Sequence, residues 1–283
     1  NTFFLRNTED ETSLSTRTST TFLRSNGQQH RDYEIRFEER ELTANQIRGR
    51  HVMGADTQEI LPFLGRGVLD GLIFEWYVSE SKAETDIPNE VEFLGEDRVD
   101  QVTGEVLSTR IRQSDFAARY RFTELDDEVD SNGWDITKAF SLENSDIELS
   151  FGQDVAQKAR SYTQLDFGLG TTELLAGPAL VGTPADVFTD AKIQDPINGF
   201  QLTAGGLGTE SYLAGQIEDG AYFKVDALLR QKWRLSGGVR QEEFEQASLP
   251  IDRLQFDPSI GQCALVPCDE AALQRIHFVE DEL

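Results

Sequence analysis

The chain has 283 residues, enough for one large all-β domain or two ordinary ones with a sizeable core. Its 26 Lys+Arg against 51 Asp+Glu leave a formal charge of −25, which repels phosphate backbones and argues against a nucleic-acid partner. The 23 Gly, the aromatic residues and the scarcity of long helical runs point to β structure, and no stretch approaches the roughly 20 apolar residues of a transmembrane helix. That last absence is silent on β-barrels, whose spanning strands are half polar and about 10 residues long.

Taken in chain order, strands are expected at about 14–25, 32–52, 70–84, 117–140, 145–164, 217–230 and 232–247. Tyr33, Ile35 and Phe37 alternate with Glu34, Arg36 and Glu38; Leu72, Phe74, Trp76 and Val78 share a face. In the strand from 145, Ile147, Leu149 and Phe151 alternate with Glu148, Ser150 and Gly152. The clearest pattern is the hairpin at 217–247. Phe223 and Val225 alternate with Tyr222, Lys224 and Asp226 on the way in, and Trp233, Leu235 and Val239 with Arg234, Ser236 and Arg240 on the way out. Only Arg230-Gln231-Lys232 separates the two arms.

Such a sheet has one apolar and one mostly polar face. Several strands place charged residues where a soluble core requires apolar ones, which a water-filled lumen tolerates. Short turns are expected at 141–145 and 230–232, and long polar loops near 85–116, 165–216 and 248–283. Long structureless loops are uncommon in compact soluble domains, whereas short turns on one rim and long loops on the other are usual in outer-membrane barrels. The connection 53–70, with Ile60-Leu61-Pro62-Phe63-Leu64, breaks that rule. The fold expected is therefore all-β: an antiparallel meander of long strands, part of a large transmembrane outer-membrane β-barrel. Ile147, Leu149, Phe151, Phe223, Val225, Trp233, Leu235 and Val239 face lipid in this reading, and Trp76, Tyr77, Trp134, Phe140, Tyr222 and Trp233 form interfacial girdles. The chain opens at Asn1 without a leader pattern and ends on Glu280-Asp281-Glu282-Leu283 without a closing strand pattern. It is read as an internal stretch of something longer, with a mature secreted protein as the alternative.

The stretch Asp135-Ile-Thr-Lys-Ala-Phe-Ser-Leu-Glu-Asn-Ser-Asp-Ile-Glu-Leu-Ser-Phe-Gly-Gln-Asp154 resembles a mid-barrel hairpin of TonB-dependent receptors. So do Ala221-Tyr-Phe-Lys-Val-Asp226 and Trp233-Arg-Leu-Ser-Gly-Gly-Val-Arg240 with Glu242, Glu243 and Glu245 behind it. Pro184-Ala-Asp-Val-Phe188 and Asn198-Gly-Phe200 resemble a large extracellular loop of the same family. The resemblance covers most of 30–258. It implies a barrel of about 22 strands closed by a plug, in the outer membrane of a Gram-negative bacterium. It also implies uptake of a siderophore, cobalamin or oligosaccharide, energised through the TonB complex. The chain departs from that pattern in carrying no plug-like segment, no TonB-contacting box and no C-terminal aromatic strand, so its partners would be outer-membrane lipid, the ligand and, through the missing plug, TonB. A porin-like passive channel and a secreted all-β carbohydrate-binding module are the competing readings.

No catalytic constellation emerges, and no cofactor is expected. Glu128, Asp130, Asn132 and Gly133 mimic the start of a calcium loop, but its twelfth position is Ala139 where a bidentate Glu is needed. His30, His51 and His277 are scattered, and Ala204-Gly-Gly-Leu-Gly208 lacks the Lys-Ser/Thr of a phosphate loop. Cys263 and Cys268, without a nearby His, suit a local disulfide pinning a loop, with two free thiols as the alternative.

Overall fold

The computed structural model describes residues 1–54, 69–170, 180–195, 199–205 and 211–251. They form a single antiparallel sheet. Its strands are β1 (Thr2–Arg17), β2 (Gln28–Val52), β3 (Leu72–Val99), β4 (Val106–Ile111), β5 (Ala118–Leu142), β6 (Ser145–Gly170), β7 (Gln201–Gly205), β8 (Ser211–Leu229) and β9 (Trp233–Ile251). The spatial order is β1-β2-β3-β5-β6-β8-β9, with β4 beside β3 and β7 beside β6. The sheet is an open meander: β1 and β9 are its edges. The described residues hold one sheet, not the two packed sheets of a sandwich.

β3 runs 28 residues and β6 runs 26, far beyond the 5–6 usual in globular sheets. One rim carries the two tight turns, Glu143-Asn144 and 230–232, in the second of which Arg230 and Gln231 take left-handed backbone. The connections described at the other rim are longer: 18–27, 100–105 and 112–117.

Three expectations are corrected here. The first strand lies at Thr2–Arg17, not 14–25, and 18–27 is a turn that ends on Gly27 in the left-handed region. Much of 85–116 is strand: β3 continues to Val99 and returns as β4. Likewise 165–216 contains the end of β6, two single-turn helices (Pro184–Val187 and Asp190–Ile193), β7 and the start of β8. Beyond Ile251 nothing is described, so Cys263, Cys268 and His277 lie outside the described residues, as do 55–68 and most of 204–208.

The far-rim additions pack on each other. Ile111, Ala117 and Val187 are fully buried and collect Phe93, Leu180, Phe188 and Phe200 around them. The Phe188 ring lies 5.1 Å from that of Phe93 and 4.6 Å from that of Phe200. Buried Asp97 ties this end together, accepting from Gln29 Nε2 (2.9 Å), Arg31 Nε (2.8 Å) and Thr109 Oγ1 (2.8 Å). Elsewhere the sheet has no covered core, and its two faces carry the chemistry.

Candidate functional site

Residues directly opposite in an antiparallel sheet share a face, so the register defines each face without ambiguity. Along β6, Ile147, Leu149 and Phe151 pair with Phe140, Lys138 and Ile136 of β5 on one side and with Ala227, Val225 and Phe223 of β8 on the other. Phe223, Ala227 and Leu229 then pair with Val239, Leu235 and Trp233. On the other flank, Ile136 and Trp134 meet Phe74 and Trp76, and Val78 meets Ile47. The eight residues expected to face lipid therefore stand together on one face. Nothing among the described residues covers it: Phe151 is 42% exposed, Phe223 44%, Leu235 61%, Trp233 71% and Val239 72%.

This apolar band starts at the short-turn rim and stops after about nine residues, roughly 30 Å along the strand. Its limit is sharp. On the same face, next towards the far rim, Glu80 stands opposite Asp130, Glu84 opposite Asp126 and Asp86 opposite Glu124. Glu39 and Glu41 extend the belt onto β2, opposite Asp86 and Glu84. Like charges directly opposite destabilise a sheet unless water screens them. Arg6 answers Glu39 at 2.7 Å and Glu41 at 3.2 Å, and Lys82 answers Glu84 at 2.6 Å. The hydrogen bond to Glu84 is the main reason the Lys82 ammonium holds its proton above its ordinary range. The belt thus marks a boundary between an apolar stretch and water. The calcium-like residues Glu128, Asp130 and Asn132 belong to this belt, on strand rather than in a loop.

The opposite face is mostly polar, and many of its charges are paired. Near the rim, Arg50 meets Glu75 (3.1 Å), Arg234 meets Asp226 (3.1 Å) and Arg240 spans Glu242 (2.5 Å) and Asp154 (3.1 Å). Further up, Arg160 grips Asp127 with two bonds of 2.6 and 2.5 Å, and Lys158 stands 3.7 Å away. Burial raises the cost of charging Asp127, yet Arg160 and Lys158 outweigh it and hold the carboxyl below its usual value.

Beyond this pair, one chain of charges crosses four strands. Glu38 of β2 accepts from Arg36 Nη2 at 2.6 Å and from Arg40 Nε. Arg36 approaches Glu90 of β3 at 3.8 Å, and Glu90 accepts from Arg121 of β5 at 2.8 Å. Asp166 of β6 accepts from Arg121 at 3.1 Å and from Arg119 at 2.6 Å. The three central carboxylates are buried, with side chains only 6%, 9% and 3% exposed for Glu38, Glu90 and Asp166. Two register shifts build this crossing, between Phe37 and Glu39 on β2 and between Ile87 and Glu90 on β3. Extra residues at bulges re-aim side chains and bend the sheet. Pro88, which a regular central strand rejects, sits inside the second bulge where no ladder bond is required of it.

Glycines set the relief of the polar face near the rim. A methyl placed on Gly133 would come within 2.7 Å of the Tyr77 ring, one on Gly152 within 2.9 Å of the Tyr222 ring, and one on Gly220 within 2.7 Å of the Arg240 guanidinium. Each large side chain thus lies down over the glycine of the neighbouring strand. Of the expected girdle, Trp76, Trp134, Phe140 and Trp233 stand on the apolar face, but Tyr77 and Tyr222 stand on the polar one, because each is an odd number of residues from its aromatic neighbours' register. Between them lies a hollow of about 700 Å³.

No protein-family model and no curated protein matches this chain. Among solved structures, the ferric citrate transporter FecA in its unliganded form is similar over 78% of this chain and 30% of that one, with 9% identity and a TM-score of 0.32. The siderophore receptor PiuA from Acinetobacter baumannii is similar over 87% of this chain and 41% of that one, with 10% identity and a TM-score of 0.29. The chain spans less than half the length of either, and the likeness is a weak one of fold.

Proposed function

We propose that this sheet is a wall segment of a large outer-membrane β-barrel that imports a scarce nutrient, with its apolar face in lipid and its polar face towards a water-filled lumen. One observation carries the reading: an uncovered apolar band across β2, β3, β5, β6, β8 and β9, ending at a belt rich in carboxylates. A soluble protein buries such a face. Its height along the strands suits the ~25 Å apolar band of outer-membrane barrels once the strands tilt. The paired charges of the other face suit a wet interior, and the open edges β1 and β9 are where further strands would close the wall.

The sequence resemblance to TonB-dependent receptors supports energised import over passive diffusion, with a plug and the TonB complex as partners and a siderophore, cobalamin or oligosaccharide as cargo.

The direct test is a pair of charge insertions one residue apart. Leu149→Arg puts a guanidinium at mid-band on the lipid side and is expected to cost about 2–3 kcal/mol of folding free energy in lipid vesicles. Glu148→Arg, at an exposed position on the lumen side, is expected to cost under about 1 kcal/mol. Equal costs at the two positions, measured by urea unfolding in vesicles, would contradict the assignment of the faces.

A further inference from the structure

The hollow between Tyr77 and Tyr222 lies on the polar face at the height of the apolar band, and its composition is selective. Its charged lining is slightly acidic: Arg48 and Arg50 stand with Glu75, Asp135 and Asp154, and Arg240, outside the hollow, reaches over Gly220 to Asp154. Two arginines of the lining meet three carboxylates, and Arg240 is shared between Asp154 and Glu242, so the hollow disfavours an anionic guest. Two phenol rings bracket it, each lying over a buried glycine and each half-buried itself. A ring laid over the backbone keeps its other face open, and an open aromatic face next to paired polar groups suits a guest with a C–H face and hydroxyl edges. Thr137 adds hydroxyl chemistry beside it, donating to Asp135 at 3.0 Å.

We infer that this hollow binds a neutral oligosaccharide, with sugar rings stacked on Tyr77 and Tyr222 and their hydroxyls hydrogen-bonded to Glu75, Asp135 and the flanking arginines. The inference rests on the reading of the polar face as a lumen wall and names the class of cargo that wall contacts. Glycine at 133 and 152 is what makes it possible: a side chain at either position would lift the phenol ring off the backbone and fill the hollow.

The test is calorimetric titration of the whole protein in detergent with maltohexaose, cellohexaose, mannohexaose and xylohexaose, against a galacturonic-acid hexamer as the anionic counterpart. Saturable binding of at least one neutral hexamer in preference to the acidic one is expected. Tyr77→Leu and Tyr222→Leu should each weaken it about tenfold, and Tyr77→Phe and Tyr222→Phe by less than about threefold, because the ring is retained. Asp135→Asn tests the hydroxyl contacts without touching either ring and is expected to weaken binding at least threefold, which keeps a readout if a Leu variant fails to fold. Binding of none of the neutral hexamers, preference for the acidic one, or unchanged affinity in the folded Leu and Asn variants would overturn the proposal. The Leu149→Arg and Glu148→Arg comparison reads lipid contact alone, so failure of the sugar site and failure of the barrel reading are distinguishable.

Discussion

Asp166→Ala is expected to lower the folding free energy by about 3–5 kcal/mol, the range for removing one partner of a buried charged pair. The carboxylate is 3% exposed and accepts from Arg119 at 2.6 Å and Arg121 at 3.1 Å. Both guanidiniums keep partial contact with water, which places the cost nearer the lower figure. Burial works against the charge on Arg121, and Asp166 and Glu90 outweigh it. Because a guanidinium does not lose its proton in a protein, removing Asp166 leaves that charge in place with one partner fewer. Asp166→Asn, which preserves the shape and one acceptor oxygen but turns an amide NH2 towards the other guanidinium, should cost less than Asp166→Ala. Urea titration in vesicles reads both. A loss below about 1 kcal/mol in the Ala variant would mean that the four-strand crossing is screened by water like an ordinary surface pair.

Gly152→Val is expected to prevent assembly of the sheet, at a cost at or above the ~3 kcal/mol upper end for overpacking. A Cβ there would meet the Trp134 carbonyl oxygen at 2.5 Å as well as the Tyr222 ring at 2.9 Å, and backbone cannot step aside as a flexible side chain can. Gly237→Ala is the matched control. Its added methyl meets nothing within 4 Å, its backbone is not left-handed, and it stands on the apolar face opposite Val225. Removing glycine's extra freedom there should leave stability unchanged or raise it by about 0.5–1 kcal/mol. The heat-dependent gel shift of the folded protein, scored for both variants, separates the outcomes; equal behaviour would contradict the packing described at Gly152.

The sequence made the middle of the sheet legible because there the two faces differ. Where Ile147, Leu149 and Phe151 alternate with Glu148, Ser150 and Gly152, period two is visible and the strand follows. It fades where both faces are wet. Thr2–Arg17 carries Asn7-Thr-Glu-Asp-Glu-Thr12 as an exposed edge strand, so no contrast marks it, and the apolar Leu14 and Phe22 draw the expected strand ten residues too far along. In β3 the expected strand stops at 84, whereas the bulge absorbs Pro88 and Asn89 and the strand runs on to Val99. The far-rim extensions were hidden for the same reason.

The candidate sites divide in the same way. The apolar face was legible from alternation alone. The charge crossing was not, because Arg121 and Asp166 lie 45 residues apart and only the register sets them side by side. Tyr77 and Tyr222 counted as girdle residues by their nearness to strand ends, but parity, not nearness, decides the face. Their odd spacing from Trp76 and Phe223 was the available signal.

The central claim is that one face of this sheet meets lipid over about nine residues and water beyond. Spin labels placed singly at each position from 145 to 161 of the whole protein in vesicles, leaving out buried Ser150 and close-packed Gly152 and with Cys263 and Cys268 replaced by Ser, measure it directly. Collisions with oxygen should peak at 147, 149 and 151 and fall at 146 and 148, with a water-soluble nickel complex giving the reverse. From 157 onward both faces should report water. Oxygen accessibility without a two-residue period at 145–153, or lipid exposure persisting to 161, would contradict the account.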